Sequence, residues 1–256
     1  MIYPMDAVLK APAASSKQLL STALPLLYLL HALDKRFLDR VLGVLANTDG
    51  RDKSCKIVQY FCKLALAVNQ AKYKPMIGTL AKQLSGARRV MRLGKSLKVL
   101  NNTSDAFSEP EGWQRTAALL SVSAGTLGDL GDDICWASDM AILPSWIGEY
   151  DKWVDRLWFF TLCCDLPLNT VALLEARAAL LACDPETDPV GYHNCQVKLA
   201  SVTISQVKGV ADFFHSTRLA FNWPTSSTGQ DAVCGLISAS CSLLKIWKPD
   251  FLQKTT

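Results

Sequence analysis

The sequence predicts an all-α protein, with basic amphipathic helices in its N-terminal part followed by an apolar, membrane-associated helical half. Apolar residues recur every three or four positions along much of the chain, the period of one face of an α-helix. Half of the 256 residues are apolar, and the mean hydropathy is slightly positive. No run of 18 or more uncharged apolar residues marks an unambiguous membrane span. We therefore expect either a rather apolar soluble helical protein or a membrane protein with shallow, interrupted helices.

Composition divides the chain into four parts. They are an N-terminal extension at 1–34, a basic amphipathic helical region at 35–100, a linker at 101–112 and an apolar membrane-associated helical region at 113–256. The extension is Leu-rich but is interrupted by Pro25, and it lacks the basic start and long apolar core of a secretory signal. The linker is polar, acidic and helix-breaking, with Pro110 near its end.

Positive charge is concentrated between Arg51 and Lys98. This segment has twelve Lys or Arg residues and a single acid, Asp52, so it carries +11. The whole chain carries +4, and the rest therefore sums to −7. A distribution this uneven is informative about binding partners rather than about the fold.

The same segment carries apolar stripes at helical spacing. The first stripe is formed by Ile57, Phe61, Leu64 and Val68, and the second by Ile77, Leu80, Leu84, Ala87 and Met91. A third, rotated stripe follows at Val90, Leu93, Leu97 and Leu100. Gly86 and Gly94 lie where a bend could absorb the rotation. Basic amphipathic helices suit an anionic membrane surface, where each Lys or Arg contributes about 1 kcal/mol.

Two other interpretations of this segment stay open at this point. The helices could pack on one another and leave a solvated basic face, although such faces usually mix both signs of charge for i,i+4 pairing. The basic residues could also bind phosphates of a nucleic acid, but only Tyr60, Phe61 and Tyr73 supply aromatic rings nearby, and no nucleic-acid-binding motif accompanies them. We predict no nucleic-acid partner.

The C-terminal half is apolar but not free of charge. Trp146, Trp153 and Trp158 form a group that is typical of a membrane–water interface and equally of a buried aromatic core. Charges within 153–183 would be costly in hydrocarbon, and so we do not expect a fully lipid-exposed span there. Ala232–Ile246 is the most apolar run, but its fifteen residues are too short to cross a core of about 30 Å.

Patterns typical of catalysis or of cofactor binding are not evident. The nine cysteines are scattered without a Cys-x-x-Cys pair, and their odd number argues for a reducing environment. Two groups of possible metal ligands each lack further ligands or the loop spacing of a metal site, so we do not expect either to bind a metal. They are Asp129 with Asp132 and Asp133, and Cys183 with His193 and Cys195. We predict no enzyme activity, no metal and no cofactor.

Two blocks of residues resemble the peroxin-11 family of peroxisomal membrane proteins. The first block is Gly50-Arg51-Asp52-Lys53 with Lys56, Gln59-Tyr60 and Lys63, and the second is Ser85, Arg88, Arg92-Leu93-Gly94 and Lys95. An acid at Asp132 or Asp133 followed by Trp136, and a closing apolar helix with Gly235-Leu236-Ile237-Ser238 and Trp247, are also similar to the family pattern.

The resemblance implies a protein of the peroxisomal membrane, or of a specialised peroxisome such as a glycosome, that promotes elongation, proliferation and fission of the organelle. We expect the amphipathic helices to bend the cytosolic leaflet. The basic residues expected to bind anionic phospholipid head groups are Lys53, Lys56, Lys63, Lys82, Arg88, Arg89, Arg92 and Lys95. The apolar residues expected to insert are Ile57, Phe61, Leu64, Val68, Ile77, Leu80, Leu84 and Met91.

The resemblance also implies partners. We expect self-association into a homo-oligomer, a fission adaptor with a dynamin-related GTPase, and a peroxisomal membrane-protein import receptor. The alternative function is a channel for small metabolites in the same membrane. A channel would need polar groups turned inward from the C-terminal helices, and the candidates are Asp165, Glu175 and Arg177.

Overall fold

The computed structural model describes residues 35–68, 73–221, 228–247 and 250–252, and within these ranges every regular element is a helix. The α-helices of this part are α1 (Lys35–Ala46), α2 (Thr48–Ala67), α3 (Lys74–Arg92), α4 (Val99–Ser108), α5 (Trp113–Asp139), α6 (Asp151–Ala182), α7 (Pro189–Phe221) and α8 (Thr228–Trp247). Short 3₁₀ helices lie at Lys95–Lys98, Ser145–Tyr150 and Asp250–Leu252. The all-α prediction is confirmed. Our interpretation of residues 1–34 as an N-terminal extension falls outside the described residues.

The chain divides into two compact units, residues 1–43 and 44–256. Of the first unit, the structure describes the beginning of α1. Its large apolar side chains include Phe37 and Leu42, which are 45% and 63% exposed. The second unit contains the end of α1 and all the later helices, and the candidate site lies entirely within it.

The helices of the second unit form a layer in which their spatial order differs from their order in the sequence. α2 packs against α3 on one side and against α8 on the other; α8 packs on α7, α7 on α6, α6 on α5, and the short α4 on α5. Helices from the two ends of the unit therefore meet at the α2–α8 interface. This long-range pairing brings basic residues of the N-terminal part against acidic residues of the C-terminal part.

The start of α2 depends on a close approach to α1. Asn47 caps the helix, since its side-chain oxygen accepts a hydrogen bond from the Asp49 N–H at 2.9 Å. Gly50 follows in the first turn, where a Cβ would lie 2.0 Å from the carbonyl oxygen of Val44. Only a residue without a side chain fits there, so this glycine fixes the tight turn between α1 and α2.

The helices pack through small and polar residues and turn their large apolar side chains outward. The largest side chains that are fully buried belong to Asp52, Ser216 and Ser238. On α5 the buried residues are small or polar, whereas Leu120 and Leu127 are 47% and 58% exposed. A soluble protein normally shows the opposite distribution, and this inverted arrangement is the main structural feature of the chain.

Two local differences from the sequence predictions stand out. The polar stretch that we interpreted as a helix-breaking linker contains α4, which ends at Ser108, and Ala106 on its inner face is only 4% exposed. Packing on α5 outweighs the weak helix propensity of this segment. The expected bend falls at Gly94, whose φ of +72° ends α3, whereas Gly86 lies inside the helix.

By length and composition, one helical stretch of the described part could cross a membrane, Ser145–Ala182, and only 6% of its most apolar window is buried. This differs from our expectation that charges here prevent an outward-facing span. Two of those charges have local partners. The Arg156 guanidinium lies 4.7 Å from the ring of Trp153, and Asp165 accepts a hydrogen bond from Ser121 at 2.5 Å.

Candidate functional site

The candidate site is built on the polar face of α2, which is turned into the helix layer. Asp52, Lys56, Gln59 and Tyr60 lie at helical spacing and are between 2% and 8% exposed. Each belongs to the first block of the family resemblance. Because buried polar groups are costly unless they are paired, each must find partners on the helices around α2.

The first group of partners centres on Asp52. Arg88 of α3 donates from Nε to its Oδ1 at 2.8 Å, and Lys53 donates to its Oδ2 at 2.6 Å. Arg88 also donates from Nη1 to Gln59 at 2.6 Å. Burial alone would raise the pKa of Asp52, but the charges of Arg88 and Lys53 outweigh it and hold that pKa below its usual value. Arg88 thereby fastens α3 to α2 by two buried bonds.

The second group joins α2 to α7 and α8. The ammonium of Lys56 donates to the Ser238 hydroxyl at 2.8 Å and lies 3.5 Å from Asp212 Oδ1, while Lys208 donates to Asp212 Oδ2 at 2.8 Å. Burial lowers the pKa of Lys56 to about 8 against the opposing pull of Asp212. Burial would raise the pKa of Asp212, but Lys56 and Lys208 bring it down to about 2. Both partners are thus charged at neutral pH.

The third group is a chain of side chains from Tyr60 to the beginning of α8. The Tyr60 hydroxyl lies 2.8 Å from His215 Nε2, His215 Nδ1 contacts the Asp231 carboxylate, and Arg218 donates to Asp231 at 3.1 Å. The ring of Tyr60 packs over Gly235, where a Cβ would lie 2.2 Å from it. Gly235 therefore allows α2 and α8 to approach closely enough for this chain to form.

Beyond the buried face, the basic end of α3 and Lys95 in the following 3₁₀ helix pair with a row of acids on α5 and with the first residue of α6. Arg89 lies 3.6 Å from Asp132, and it also reaches the carboxylates at 139 and 151 at 2.5 and 3.2 Å. Arg92 pairs with Asp132 at 3.2 Å, and Lys95 pairs with Asp129 at 3.0 Å. We call these contacts the α3–α5 ladder. Its members are more exposed than the buried groups, so each contact contributes less to stability.

The opposite face of α2 and of α3 is apolar and open. Phe61 and Val68 are 58% and 70% exposed, and on α3 Met76, Leu80 and Val90 are between 45% and 65% exposed. These residues point away from the paired charges. The face has no apolar partner that buries it within the described part of the chain, in contrast to the amphipathic helices of soluble proteins.

The structure places the predicted basic residues largely inside ion pairs. Six of the eight pair with acids: Lys53, Lys56, Arg88, Arg89, Arg92 and Lys95. Lys63 lies 4.6 Å from the ring centre of Tyr60, and exposed Lys82 has no acidic partner among the described residues. The expected outward position of Lys56 and Arg88 differs from the structure, because both are buried against carboxylates. Binding of head groups by the set stays a prediction.

The predicted membrane-inserting residues fall into two classes. Phe61, Val68 and Leu80 are exposed, whereas Ile57, Leu64, Ile77, Leu84 and Met91 are half-buried. Both classes occur on each helix, as expected for a stripe that lies at the edge of a packed interface. The open part of the apolar face therefore comprises fewer of the predicted residues than the pattern indicated, and it adds Val58 and Met76, which are 46% and 65% exposed.

The acidic partners on α7 and α8 were missed by the sequence analysis. Lys208 and Asp212 are four residues apart in a helix that otherwise has a regular apolar stripe, with His215 three residues further on. Charges at i and i+4 inside an apolar helix are the signal that could have identified them. Nothing in the sequence, however, paired Asp212 with Lys56, which lies 156 residues away.

The three residues considered for a channel do not form one group. Asp165 faces α5, where it accepts the hydrogen bond of Ser121. Glu175 and Arg177 are exposed and flank buried Ala176 in the sequence of α6. The channel function stays a prediction, and these three charged residues do not share one site.

Paired charges inside and large apolar side chains outside define a helical membrane protein, because lipid solvates apolar side chains but no unpaired polar group. The family model described as Peroxisomal biogenesis factor 11 (PEX11) matches residues 38–247, and the chain belongs to this family.

Comparison with known proteins agrees with this assignment. The chain is similar to "Peroxisomal membrane protein 11 homolog" from Dictyostelium discoideum, with 29% identity over 196 residues that cover 70% of this chain and 74% of the relative. No solved structure matches. The resemblance and the peroxisomal-membrane localisation predicted from the sequence are confirmed, and the protein takes part in peroxisome proliferation as a biogenesis factor.

Proposed function

We propose that this chain bends the peroxisomal membrane by seating the open apolar face of α2 and α3 in the cytosolic leaflet. Insertion into one leaflet would expand it relative to the other and favour curvature, which elongates the organelle before fission. The observation that supports this proposal is the exposure of Phe61, Val68, Met76 and Leu80 on one side of two helices whose polar sides are satisfied internally.

The driving force for insertion comes mainly from the apolar face. Complete burial of a large apolar side chain contributes about 1.5–3 kcal/mol, so four side chains that are between 45% and 70% exposed supply several kcal/mol on entering lipid. The electrostatic part is smaller than the +11 of the segment indicates, since six of the predicted basic residues already have acidic partners. We expect membrane binding to depend on anionic lipid less steeply than this charge predicts.

A test uses the full chain reconstituted into vesicles with and without anionic lipid. Phe61→Glu should strongly reduce tubule formation seen by electron microscopy, while helix content by circular dichroism stays unchanged because the side chain faces outward. The matched control is Phe107→Glu on α4, since Phe107 is also 58% exposed but lies outside the proposed face. Equal tubule formation by the wild type and both variants would refute the proposal.

Self-association of the inserted chain would turn local bending into a tubule. The partners that the resemblance implies, a fission adaptor with a dynamin-related GTPase and a membrane-protein import receptor, would act on this assembled form. Crosslinking of the reconstituted protein, with and without tubules, measures whether assembly accompanies bending; a strictly monomeric protein in well-formed tubules would exclude the self-association step.

A further inference from the structure

The connection between α6 and α7 holds two free thiols in contact. The sulfur of Cys183, which follows the last residue of α6, lies 3.2 Å from the sulfur of Cys195 in α7. Both side chains are half-buried, and the residues 184–188 between the helices are exposed to solvent. The two cysteines thus meet at an accessible end of the helix pair, just beyond the stretch that could cross a membrane.

We propose that Cys183 and Cys195 form a reversible intrachain disulfide when the protein meets a hydroperoxide, and that this bond ties the end of α6 to the beginning of α7. The two cysteines are twelve residues apart in sequence, so the disulfide would close only the short loop between neighbouring helices. Bond formation shortens the separation of the two sulfurs from 3.2 Å to about 2.0 Å.

The hydrogen bond with Cys195 raises the pKa of Cys183. One of the two sulfurs attacks the hydroperoxide as the thiolate, breaks the O–O bond and becomes a sulfenic acid, and an alcohol leaves. The other thiol attacks that sulfur, the disulfide forms and water is released. Two thiols are oxidised by two electrons, and one hydroperoxide is reduced.

The remaining cysteines provide internal controls. Cys163 is exposed on α6, within the stretch that could cross a membrane, and Cys135 is buried with its sulfur near the carbonyl of Ile147. Among the described residues, Cys183 and Cys195 are the two cysteines whose sulfurs touch. Oxidation at a single accessible thiol such as Cys163 would give a sulfenic acid or an interchain bond, and both products are distinguishable from an intrachain disulfide.

The experiment treats the full chain in detergent micelles with one equivalent of hydrogen peroxide and counts the thiols that react with a maleimide. We expect the wild type to lose two thiols, to regain them with dithiothreitol and to yield linked peptides containing Cys183 and Cys195 by mass spectrometry. Cys163→Ser should behave identically. Cys183→Ser and Cys195→Ser should each stop at a sulfenic acid on the remaining cysteine, which dimedone traps, and neither variant should yield a linked peptide.

Three outcomes would overturn the proposal: retention of all thiols, a linkage between two chains, or loss of two thiols in Cys183→Ser. Because the readout is a covalent bond within the loop, it does not depend on vesicle bending, and its failure leaves the proposed function of α2 and α3 untouched. A variant that fails to fold is recognised by its lost helix content, and Cys183→Ala then replaces it.

Discussion

Replacement of Arg88 is the sharpest test of the buried polar face. The sequence predicts that this arginine binds lipid head groups, whereas in the structure it holds α3 against α2. Arg88 is 9% exposed and binds both Asp52 and Gln59. In Arg88→Met the apolar volume is retained, but the Asp52 carboxylate is left with Lys53 as its one charged partner among the described residues. A buried charge that loses its partner should destabilise the protein strongly.

The size of the effect follows from burial. Breaking a buried ion pair by removal of one member costs about 3–5 kcal/mol, and the surviving bond to Lys53 favours the lower end, about 3 kcal/mol. The matched control is Arg92→Met, one turn further along α3. The Arg92 side chain is 36% exposed and pairs with Asp132, which is 24% exposed, so its loss should cost about 0–1 kcal/mol.

The assay is unfolding of the purified full chain in mixed micelles, followed by far-ultraviolet circular dichroism. We expect a large shift of the midpoint for Arg88→Met, a small one for Arg92→Met, and partial recovery when Asp52→Asn is added to Arg88→Met, since the unpaired charge is then removed. Equal shifts for the two arginines, or no recovery in the double variant, would mean that Asp52 and Arg88 are not a buried pair.

Two further predictions use the same unfolding assay, and a third uses hydrogen exchange. Gly235→Ala should cost about 1–3 kcal/mol, because its Cβ would lie 2.2 Å from the Tyr60 ring, and Tyr60→Leu should relieve part of that loss. The pKa of the Asp212 carboxyl is lowered to about 2, so its contribution to stability is fully present above about pH 4 and is lost as the pH falls toward 2. Over this range the free energy of unfolding of the wild type should therefore fall by about 2 kcal/mol more than that of Asp212→Asn. In the α3–α5 ladder, high salt should speed hydrogen exchange around Arg89 and leave exchange around Asp52 unchanged, since screening acts mainly on exposed pairs; uniform acceleration would contradict the difference in burial.

Much of the fold could be predicted from the sequence because helical periodicity is a local property. The stripe of Ile57, Phe61 and Leu64 predicts α2, and the structure has a helix over Thr48–Ala67. The family resemblance could be found for the same reason, since its blocks are short and contiguous. The failure at α4 is also local: the weak helix propensity of residues 101–105 predicts a break, whereas the helix is held by packing on α5 that no local pattern reveals.

The direction of the polar face could not be predicted, because amphipathicity fixes two opposite faces but not which of them is turned inward. Lys56 and Gln59 resemble solvated residues when the sequence is read alone, and the partners that decide otherwise are Asp212 and Ser238, far along the chain. Because residues 51–98 contain a single acid, Asp52, the sequence predicts free positive charge there. The negative total of the remaining chain was the available sign that partners existed elsewhere.

This pairing changes what the positive charge of the N-terminal region does. Charges that bind Asp52 and Asp212 hold α2, α3, α7 and α8 together, and in doing so they fix the apolar side of α2 toward the outside. The basic residues would then act on the membrane indirectly, by orienting Phe61 and its neighbours. If the proposed insertion is correct, loss of a buried pair should abolish bending even though the lost residue never touches lipid. Loss of exposed Lys82 should weaken only the first adsorption to anionic vesicles. Comparison of Arg88→Met with Lys82→Met in the tubule assay separates these two roles.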